Sequence, residues 1–294
     1  MTDNRFQRNG DLVEDRRTGL VWPARAQLSV TGLPWREAFE FVREMNRKQA
    51  LGHDDWRLPN RRELYSLIDH AASGPALPPG HPFEEVWQGW YWTATTSAKA
   101  PAYAWRVQML GGRMFYGKKD EDSLVWPVRG TSEGLFATGQ TACFGGSGEL
   151  ILCNGTGQDG ELRMGAPWPE PRFRVTQSGT LDIMTGLEWT RNADLASGLV
   201  SREQAEQIVN ALGQRWRLPE IMELESLTDC SRSDPALPAG HPFTGVREAY
   251  WSATDSGLDA DWAYCLYYHK GAVGVGYKPN RDFSVWAVRN QDET

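Results

Sequence analysis

Aromatic and polar side chains that could bind a ligand are concentrated late in the chain. Residues 262–269, Trp-Ala-Tyr-Cys-Leu-Tyr-Tyr-His, predict a strand, and successive residues of a strand point to opposite faces. Trp262 and Tyr264 therefore lie on the face opposite to Cys265, and one of the two sets is expected to point outward. Exposed Tyr and Trp beside Asn, His and Arg are typical of a binding surface, whereas a second core layer is the alternative. The candidate ligand-binding residues are Trp262, Tyr264, Tyr267, Tyr268, His269, Tyr277, Asn280 and Arg281, with Trp105 and Tyr116 from an earlier stretch of similar composition.

Catalytic side chains are harder to find than binding ones. Cys230 and Cys265 lie in the second half of the chain, where two buried thiols are the structural interpretation. The five histidines show no spacing typical of an iron or zinc site. His81 and His241 are each followed by Pro-Phe, so they are interpreted as hydrogen-bonding residues that fix a loop. No catalytic residue and no cofactor is predicted.

Acidic residues give only a weak indication of a metal site. Asp120-Glu121-Asp122 in one loop, and Asp255, Asp259 and Asp261 in another, could bind Ca²⁺ on the ground of charge alone. Solvated loop carboxylates are the alternative interpretation. No phosphate-binding glycine loop is present, because Gly145-Gly146-Ser147-Gly148 opens no predicted helix. Calcium therefore remains a possible ligand with little support from the residues.

The sequence contains two copies of the elements that must position these side chains. The same motifs recur in the same order, at about 10–129 and about 178–289, which indicates a tandem duplication. The recurring motifs are Thr18-Gly19-Leu20 with Thr185-Gly186-Leu187, Trp56-Arg57-Leu58-Pro59 with Trp216-Arg217-Leu218-Pro219, Tyr91-Trp92 with Tyr250-Trp251, and Val125-Trp126 with Val285-Trp286. Seven residues are missing from the second copy, where 46–55 is shortened to Gly213-Gln214-Arg215, so this stretch is predicted to be a surface loop.

Each copy is predicted to have α+β architecture. Polar–apolar alternation over 11–22 predicts a hairpin, and apolar residues spaced three and four apart over 35–46 predict a helix. Asn60 with Glu63 is a capping-box-like start for a second helix. Short strands are then predicted at 91–95, 103–110, 113–117 and 123–129, with Gly111-Gly112 as a hairpin turn. The predicted domains are 1–130 and 178–294, joined by a Gly/Pro-rich connector over 131–177.

Residues that recur in both copies are expected to serve the fold. The paired tryptophans are predicted to be core, namely Trp22 and Trp189, Trp56 and Trp216, Trp92 and Trp251, Trp126 and Trp286. Arg57, Glu63 and Arg129, with their counterparts Arg217, Glu223 and Arg289, are predicted to form partly buried ion pairs, because buried charges need partners.

Composition limits the partners of the protein. The formal net charge is −7, and the longest basic run that we identify is Lys118-Lys119, so nucleic acid is not an expected partner. No apolar run reaches the ~20 residues of a transmembrane helix. The polar start, Met1-Thr2-Asp3-Asn4-Arg5, is unlike a signal peptide, so a cytoplasmic location is predicted. The alternative is an exported or cell-surface protein whose leader was removed, and in that case Cys143 and Cys153 could form a disulfide.

These motifs together resemble the Lcl C-terminal domain family, which is named for the C-terminal domain of a bacterial collagen-like adhesin. The resemblance rests on Thr-Gly-Leu-x-Trp, an amphipathic helix, Trp-Arg-Leu-Pro-Asn-Arg-x-Glu-Leu, Tyr-Trp-[Ser/Thr]-Ala-Thr and a final Val-Arg. It implies two C-type-lectin-like domains, each with two helices and a small, mainly antiparallel twisted sheet. It also implies adhesion or ligand binding, with carbohydrate polymers as one target class.

The leading functional prediction is a non-catalytic, lectin-like or adhesin-like protein that recognises a glycan or a protein through the late-strand surface. One alternative follows from the resemblance of the family to formylglycine-generating enzymes, whose chemistry would here depend on Cys265. Another alternative is a structural subunit of a larger surface assembly. The oligomeric state stays open.

Overall fold

Each copy of the repeat begins with short antiparallel strands. In the first copy these are β1 (Phe6–Asn9), β2 (Leu12–Asp15) and β3 (Leu20–Pro23), paired in that order. The predicted hairpin over 11–22 corresponds to β2 and β3, and Gly19 takes the left-handed conformation that its turn requires, with φ 73°. These bounds come from a computed structural model that describes residues 5–213 and 215–291.

Two helices follow in the first copy. Helix α1 (Trp35–Arg47) buries its apolar face, and a short 3-10 turn (Ala50–Gly52) lies within the loop that is shortened in the second copy. Helix α2 (Arg61–Tyr65) begins with the predicted capping box, in which Asn60 accepts from the Glu63 N–H and Glu63 accepts from the Asn60 N–H. The prediction of both helices is confirmed.

The helices pack beside a three-stranded antiparallel sheet. Its strands are β4 (Trp90–Thr96), β5 (Tyr103–Gln108) and β6 (Met114–Lys118). Gly111 and Gly112 form the turn, with φ of 69° and 62°. The predicted strand over 123–129 makes only isolated bridges.

The predicted connector does not form a separate segment. The chain divides into units of residues 1–167 and 168–294, so most of the 131–177 stretch belongs to the first unit. It contains the hairpin strands β7 (Cys143–Phe144) and β8 (Leu150–Ile151) and the one-turn helix α3 (Asp159–Leu162). Cys143 and Cys153 form a disulfide beside the hairpin, with their Cα atoms 5.1 Å apart.

The second unit repeats the order of elements. Its helices and strands are β9 (Phe173–Val175), β10 (Thr180–Asp182), β11 (Leu187–Trp189), α4 (Arg202–Ala211), α5 (Ile221–Ser226), β12 (Ala249–Asp255), β13 (Trp262–Tyr267), β14 (Ala272–Tyr277) and β15 (Val288–Asn290). Where Val128 and Arg129 of the first copy make isolated bridges, the second copy has a regular strand, β15, which pairs with β11. Gln214, in the shortened loop, lies outside the described residues. The α+β prediction is confirmed.

The recurring aromatic residues form the core, as predicted. Trp22 and Trp126 pack with ring centroids 5.6 Å apart, and Trp189 and Trp286 pack at 5.1 Å. Such edge and tilted contacts add to the free energy of apolar burial. All four side chains have 0% exposure, so these tryptophans are not available to a ligand.

The recurring charges also form ion pairs. Arg57 and Glu63 form a bidentate ion pair with N–O distances of 2.6 and 2.7 Å, and Arg217 and Glu223 repeat it. Arg129 pairs elsewhere: its guanidinium contacts Asp55 at 2.7 Å, on the loop that is shortened in the second copy. In the second copy Arg289 contacts Glu188 instead, at 2.6 Å.

Candidate functional site

Three of the predicted binding residues are core residues. Tyr264 and Tyr268 have 0% exposure and Trp105 has 1%. The Tyr268 hydroxyl donates to the backbone oxygen of Leu224 at 2.7 Å, so even its polar end faces inward. The Arg61 guanidinium lies 4.2 Å from the ring of Trp105. The prediction that these three side chains form a binding surface is therefore wrong, because both faces of β5 and β13 are covered.

The other predicted residues do not come together at one place. Trp262 and Tyr277 pack with centroids 5.7 Å apart at one end of β13. Tyr267 and His269 pack at 5.9 Å near the other end. A six-residue strand is about 17 Å long, which separates the two pairs. Asn280 and Arg281 are exposed in the segment after β14, and Tyr116 is half-buried beside Trp105 in the first unit.

The thiol on which the enzyme alternative depends is inaccessible. Cys265 has 0% exposure, and burial raises the pKa of its thiol to about 12, even though Tyr267 forms a hydrogen bond with it. Cys230 is also buried, and the two cysteines do not form a disulfide with each other. A nucleophilic cysteine needs a lowered pKa and access to solvent. The site therefore gives no support to chemistry at Cys265.

Three of the acidic candidates for calcium are engaged with cations or with backbone. Asp255 contacts Lys278 at 2.8 Å, and Glu121 contacts Arg106 at 3.1 Å. Asp259 accepts a hydrogen bond from the Asp261 N–H at 2.9 Å. Among the described residues no group of three or more His, Cys, Asp and Glu side chains could hold a metal ion.

The predicted loop role of the two repeated histidines is seen most clearly in the first copy. His81 Nδ1 accepts a hydrogen bond from the Phe83 N–H at 3.2 Å. In the second copy the ring of His241 stacks on Phe243, with centroids 5.8 Å apart. Desolvation lowers the pKa of both imidazoles below the usual value, which favours their neutral forms.

A groove that the sequence did not indicate runs along helix α1 of the first unit. It has a volume of about 440 Å³ and lies between α1 and the connector hairpin, which we define as residues 143–151. Its aromatic and apolar lining comes from Trp35, Phe39, Phe144 and Ile151, and its charged lining from Arg36, Glu40, Arg43, Lys119 and Glu149. We call this feature the hairpin groove.

Lys119 is the most unusual group in the hairpin groove. Its side chain follows strand β6, has 4% exposure, and donates to the backbone oxygens of Phe144 and Gly145 at 3.1 and 3.0 Å. Its Nζ lies 4.1 Å from the ring centroid of Trp35. Burial lowers the pKa of Lys119 to about 7, and the opposing effect of Glu149 is smaller. The amine is therefore partly neutral near neutral pH.

The walls of the hairpin groove are fixed by hydrogen bonds. The Trp35 indole donates to the Thr93 oxygen at 2.7 Å, which sets the orientation of the ring. The Gln158 side chain forms two hydrogen bonds with the backbone of Phe144, both at 3.0 Å. These hydrogen bonds fix the orientation of the side chains that line the groove.

The connector also attaches to strand β4 beyond the groove. The Gln140 side chain pairs with both backbone groups of Thr96, at 2.9 and 2.8 Å. Asp159 accepts from the hydroxyls of Thr95 and Thr138 at 2.6 and 2.7 Å. These contacts hold the connector against strand β4 as a fixed part of the first unit.

The second unit has a pocket at the equivalent place, with different chemistry. Arg202 stands where the first copy has Trp35, and its N–H donates to the Lys278 oxygen at 3.0 Å as Trp35 does to Lys119. This pocket, of about 520 Å³, is lined mainly by charged residues, including Glu203, Glu206 and Asp255. The two copies therefore have a pocket at the same place in the fold, and the pocket is lined by different side chains in each copy.

The sequence offered little that could have revealed the hairpin groove. Its aromatic residues on α1 read as core, and they are indeed buried on one side. The one useful signal was the pair Cys143 and Cys153 inside a Gly-rich stretch, which is typical of a hairpin held by a disulfide. Lys119 was noted only as part of a short basic pair.

The fold and the groove define a protein of two repeated α+β units, the first of which carries an additional hairpin layer. The family model of the Lcl C-terminal domain matches residues 11–129 and 178–289, and the chain belongs to this family with two copies of the domain. No match was found among curated proteins. None of the described helices is long and apolar enough to cross a membrane.

Proposed function

We propose that the protein is a non-catalytic, lectin-like binding protein and that the hairpin groove of the first unit holds its ligand, a segment of glycan. The observation that carries this proposal is the groove itself, where aromatic rings and hydrogen-bonding side chains line one cavity of about 440 Å³. Ligand sites combine an apolar lining with a few placed polar groups in this way. An aromatic face can pack against the C–H surface of a sugar ring while the polar groups bond its hydroxyls.

The cysteine chemistry of the connector supports an extracellular setting for this activity. Disulfides persist in oxidising compartments and are rare in the cytosol. Cys143 and Cys153 are joined beside the groove wall. An exported, adhesin-like role with a C-type-lectin-like domain therefore forms part of the proposal, in place of the cytoplasmic location expected from the polar N-terminus.

A glycan array on the intact chain, followed by calorimetry, tests the proposal. Arg36→Ala and Glu149→Gln change exposed side chains of the groove without touching the buried rings. Each is expected to weaken the best array ligand about tenfold, or about 1.4 kcal/mol. The matched control is Glu203→Ala, which changes the residue equivalent to Arg36 on helix α4 and should leave the affinity unchanged.

Two outcomes would overturn the assignment of the groove. The first is binding that the groove variants leave intact, and the second is binding lost equally in the Glu203→Ala control. Repeating the array with EDTA tests the calcium hypothesis, since loss of binding in EDTA would indicate that a metal ion is needed. Absence of any glycan binding would favour a protein ligand.

A second binding surface is supported by the aromatic pair of the second unit. Tyr277 is 38% exposed and packs against the half-buried Trp262. Asn280 and Arg281 are exposed a few residues further on. Tyr277→Ala is expected to reduce binding of a ligand that uses this surface, whereas a site confined to the hairpin groove would be unaffected.

A further inference from the structure

Lys119 combines burial in an open groove with an unusual set of hydrogen-bond partners. Its Nζ reaches two backbone oxygens, of Phe144 and Gly145, at 3.1 and 3.0 Å. It forms no salt bridge with a carboxylate that the structure describes, and its nearest ring is that of Trp35. A buried ammonium ion without a paired carboxylate is costly, so the neutral amine is the favoured alternative.

The geometry suits the neutral amine as well as the cation. A neutral primary amine has two N–H groups and one lone pair. When the two N–H groups are directed to Phe144 and Gly145, the lone pair must point away from both of these oxygens. Because Lys119 lines the hairpin groove, a small molecule in that groove comes close to its side chain.

We propose that Lys119 is a covalent attachment site for small aldehydes that enter the hairpin groove. The lone pair of Nζ attacks the carbonyl carbon, the C=O π electrons move to oxygen, and a proton passes from nitrogen to that oxygen. Loss of water from this carbinolamine then gives an imine. One C=N bond replaces one C=O bond, one water leaves, and no oxidant or reductant is needed. Lysines desolvated in apolar pockets are known to act in this way.

The charges that face Lys119 come from two elements. Helix α1 contributes Arg36, Glu40 and Arg43, of which Glu40 and Arg43 pair with each other at 2.8 Å. The connector hairpin contributes Glu149, which acts to raise the pKa of Lys119, although less than burial lowers it. The resulting pKa of about 7 leaves a substantial fraction of neutral amine at neutral pH.

The second repeat supplies a matched control. Lys278 occupies the position of Lys119, but its Nζ contacts the Asp255 carboxylate at 2.8 Å. Lys278 thus differs from Lys119 in having a carboxylate partner. Lys118, next in sequence to Lys119, is exposed and gives a solvent-accessible reference. The whole chain has six lysines, so peptide mapping can resolve each of them.

The experiment is reductive labelling of the intact, folded chain with propanal and sodium cyanoborohydride near pH 7. Cyanoborohydride reduces the imine to a stable propylamine, and mass spectrometry of the peptides gives the rate at each lysine. We expect Lys119 to react about tenfold or more faster than Lys118 and Lys278, because burial lowers the pKa of Lys119 to about 7 and so increases the neutral fraction of its amine at this pH. The advantage should shrink as the pH is raised toward 10.

Lys119→Arg serves as the second arm. It should remove the fast label and leave the slow labelling of the other lysines unchanged. Equal rates at Lys119, Lys118 and Lys278, or a Lys119 that reacts more slowly than either, would overturn the proposal. The wild-type map is decisive even if the variant folds poorly. The outcome is independent of the glycan array, since labelling at Lys119 requires no glycan.

Discussion

The Thr95 hydroxyl donates a hydrogen bond of 2.6 Å to Asp159 Oδ2, and this contact fastens the connector to strand β4. Burial raises the pKa of Asp159 to about 6, and the hydrogen bonds from Thr95 and Thr138 only partly oppose it. Its other oxygen, Oδ1, accepts no hydrogen bond from the residues that the structure describes. The surroundings of Asp159 therefore favour its neutral carboxyl form over the charged carboxylate.

A pH dependence of stability follows from Asp159. The folded protein holds the proton more tightly than the unfolded chain, whose aspartate pKa is near 3.9, so stability falls as the pH rises from about 4 to 6. The loss attributable to this group is about 3 kcal/mol. When the free energy of unfolding is measured with urea across this pH range, Asp159→Asn should remove this part of its dependence on pH. The exposed control Asp120→Asn should keep it, and equal slopes for wild type and Asp159→Asn would contradict the assignment.

Reduction of the disulfide is expected to loosen the wall of the hairpin groove. Cys143 and Cys153 are ten residues apart, and a crosslink over a loop of this length stabilises by about 3 kcal/mol in the chain-entropy model. Dithiothreitol should therefore speed proteolysis near the exposed Leu152 and lower the melting temperature of the first unit. A Cys143→Ala/Cys153→Ala double variant should not respond to dithiothreitol. If the wild type is equally indifferent, the hairpin does not depend on the bridge.

The same Arg–Glu ion pair occurs in both copies, so the effect of burial on its contribution to stability can be compared between two pairs of identical residue types. The Glu63 side chain is 1% exposed and pairs with Arg57, whereas Glu223 is 18% exposed and pairs with Arg217. Removing one member of a buried pair leaves an uncompensated charge, while a solvated pair contributes little. Glu63→Gln should cost about 3 kcal/mol and Glu223→Gln about 1 kcal/mol in urea unfolding. Equal losses would mean that the difference in exposure has no energetic effect.

Cys265 should resist alkylation in the folded protein. With a pKa of about 12, its thiolate is scarce at pH 8, and the side chain has no exposed surface. Iodoacetamide is expected to react with it at least about a hundredfold more slowly than with an ordinary cysteine, whose pKa is about 8.5. The unfolded chain in urea provides the reference rate. Rapid labelling of Cys265 in the native protein would revive the enzyme alternative.

Local patterns predicted the scaffold well. The Asn60–Glu63 capping box, the face of helix α1 and the Gly111–Gly112 turn depend on neighbouring residues, so the sequence shows them directly. The repeated tryptophans identified the core for a different reason. A side chain that both copies need is more plausibly structural than specific to a ligand.

The binding residues were harder to predict. Alternation of polar and apolar residues identifies an outward face only when one side of a strand is solvated. Strand β13 is covered on both sides, so Tyr264 is buried, and Tyr268, directly after the strand, is buried too. The hairpin groove depends on contacts between residues distant in the chain, such as Lys119 with Phe144 and Gln140 with Thr96. These contacts leave no periodic signal in the sequence.

The attachment of Gln140 has a consequence for protein engineering. Because its amide bonds the main chain of Thr96, this interaction does not depend on which side chain that strand carries. Asp255 has the same backbone pairing in the second unit, opposite Ala263, as Thr96 has opposite Ala104. A copy of the connector could accordingly be transplanted onto the second repeat through the same backbone contacts.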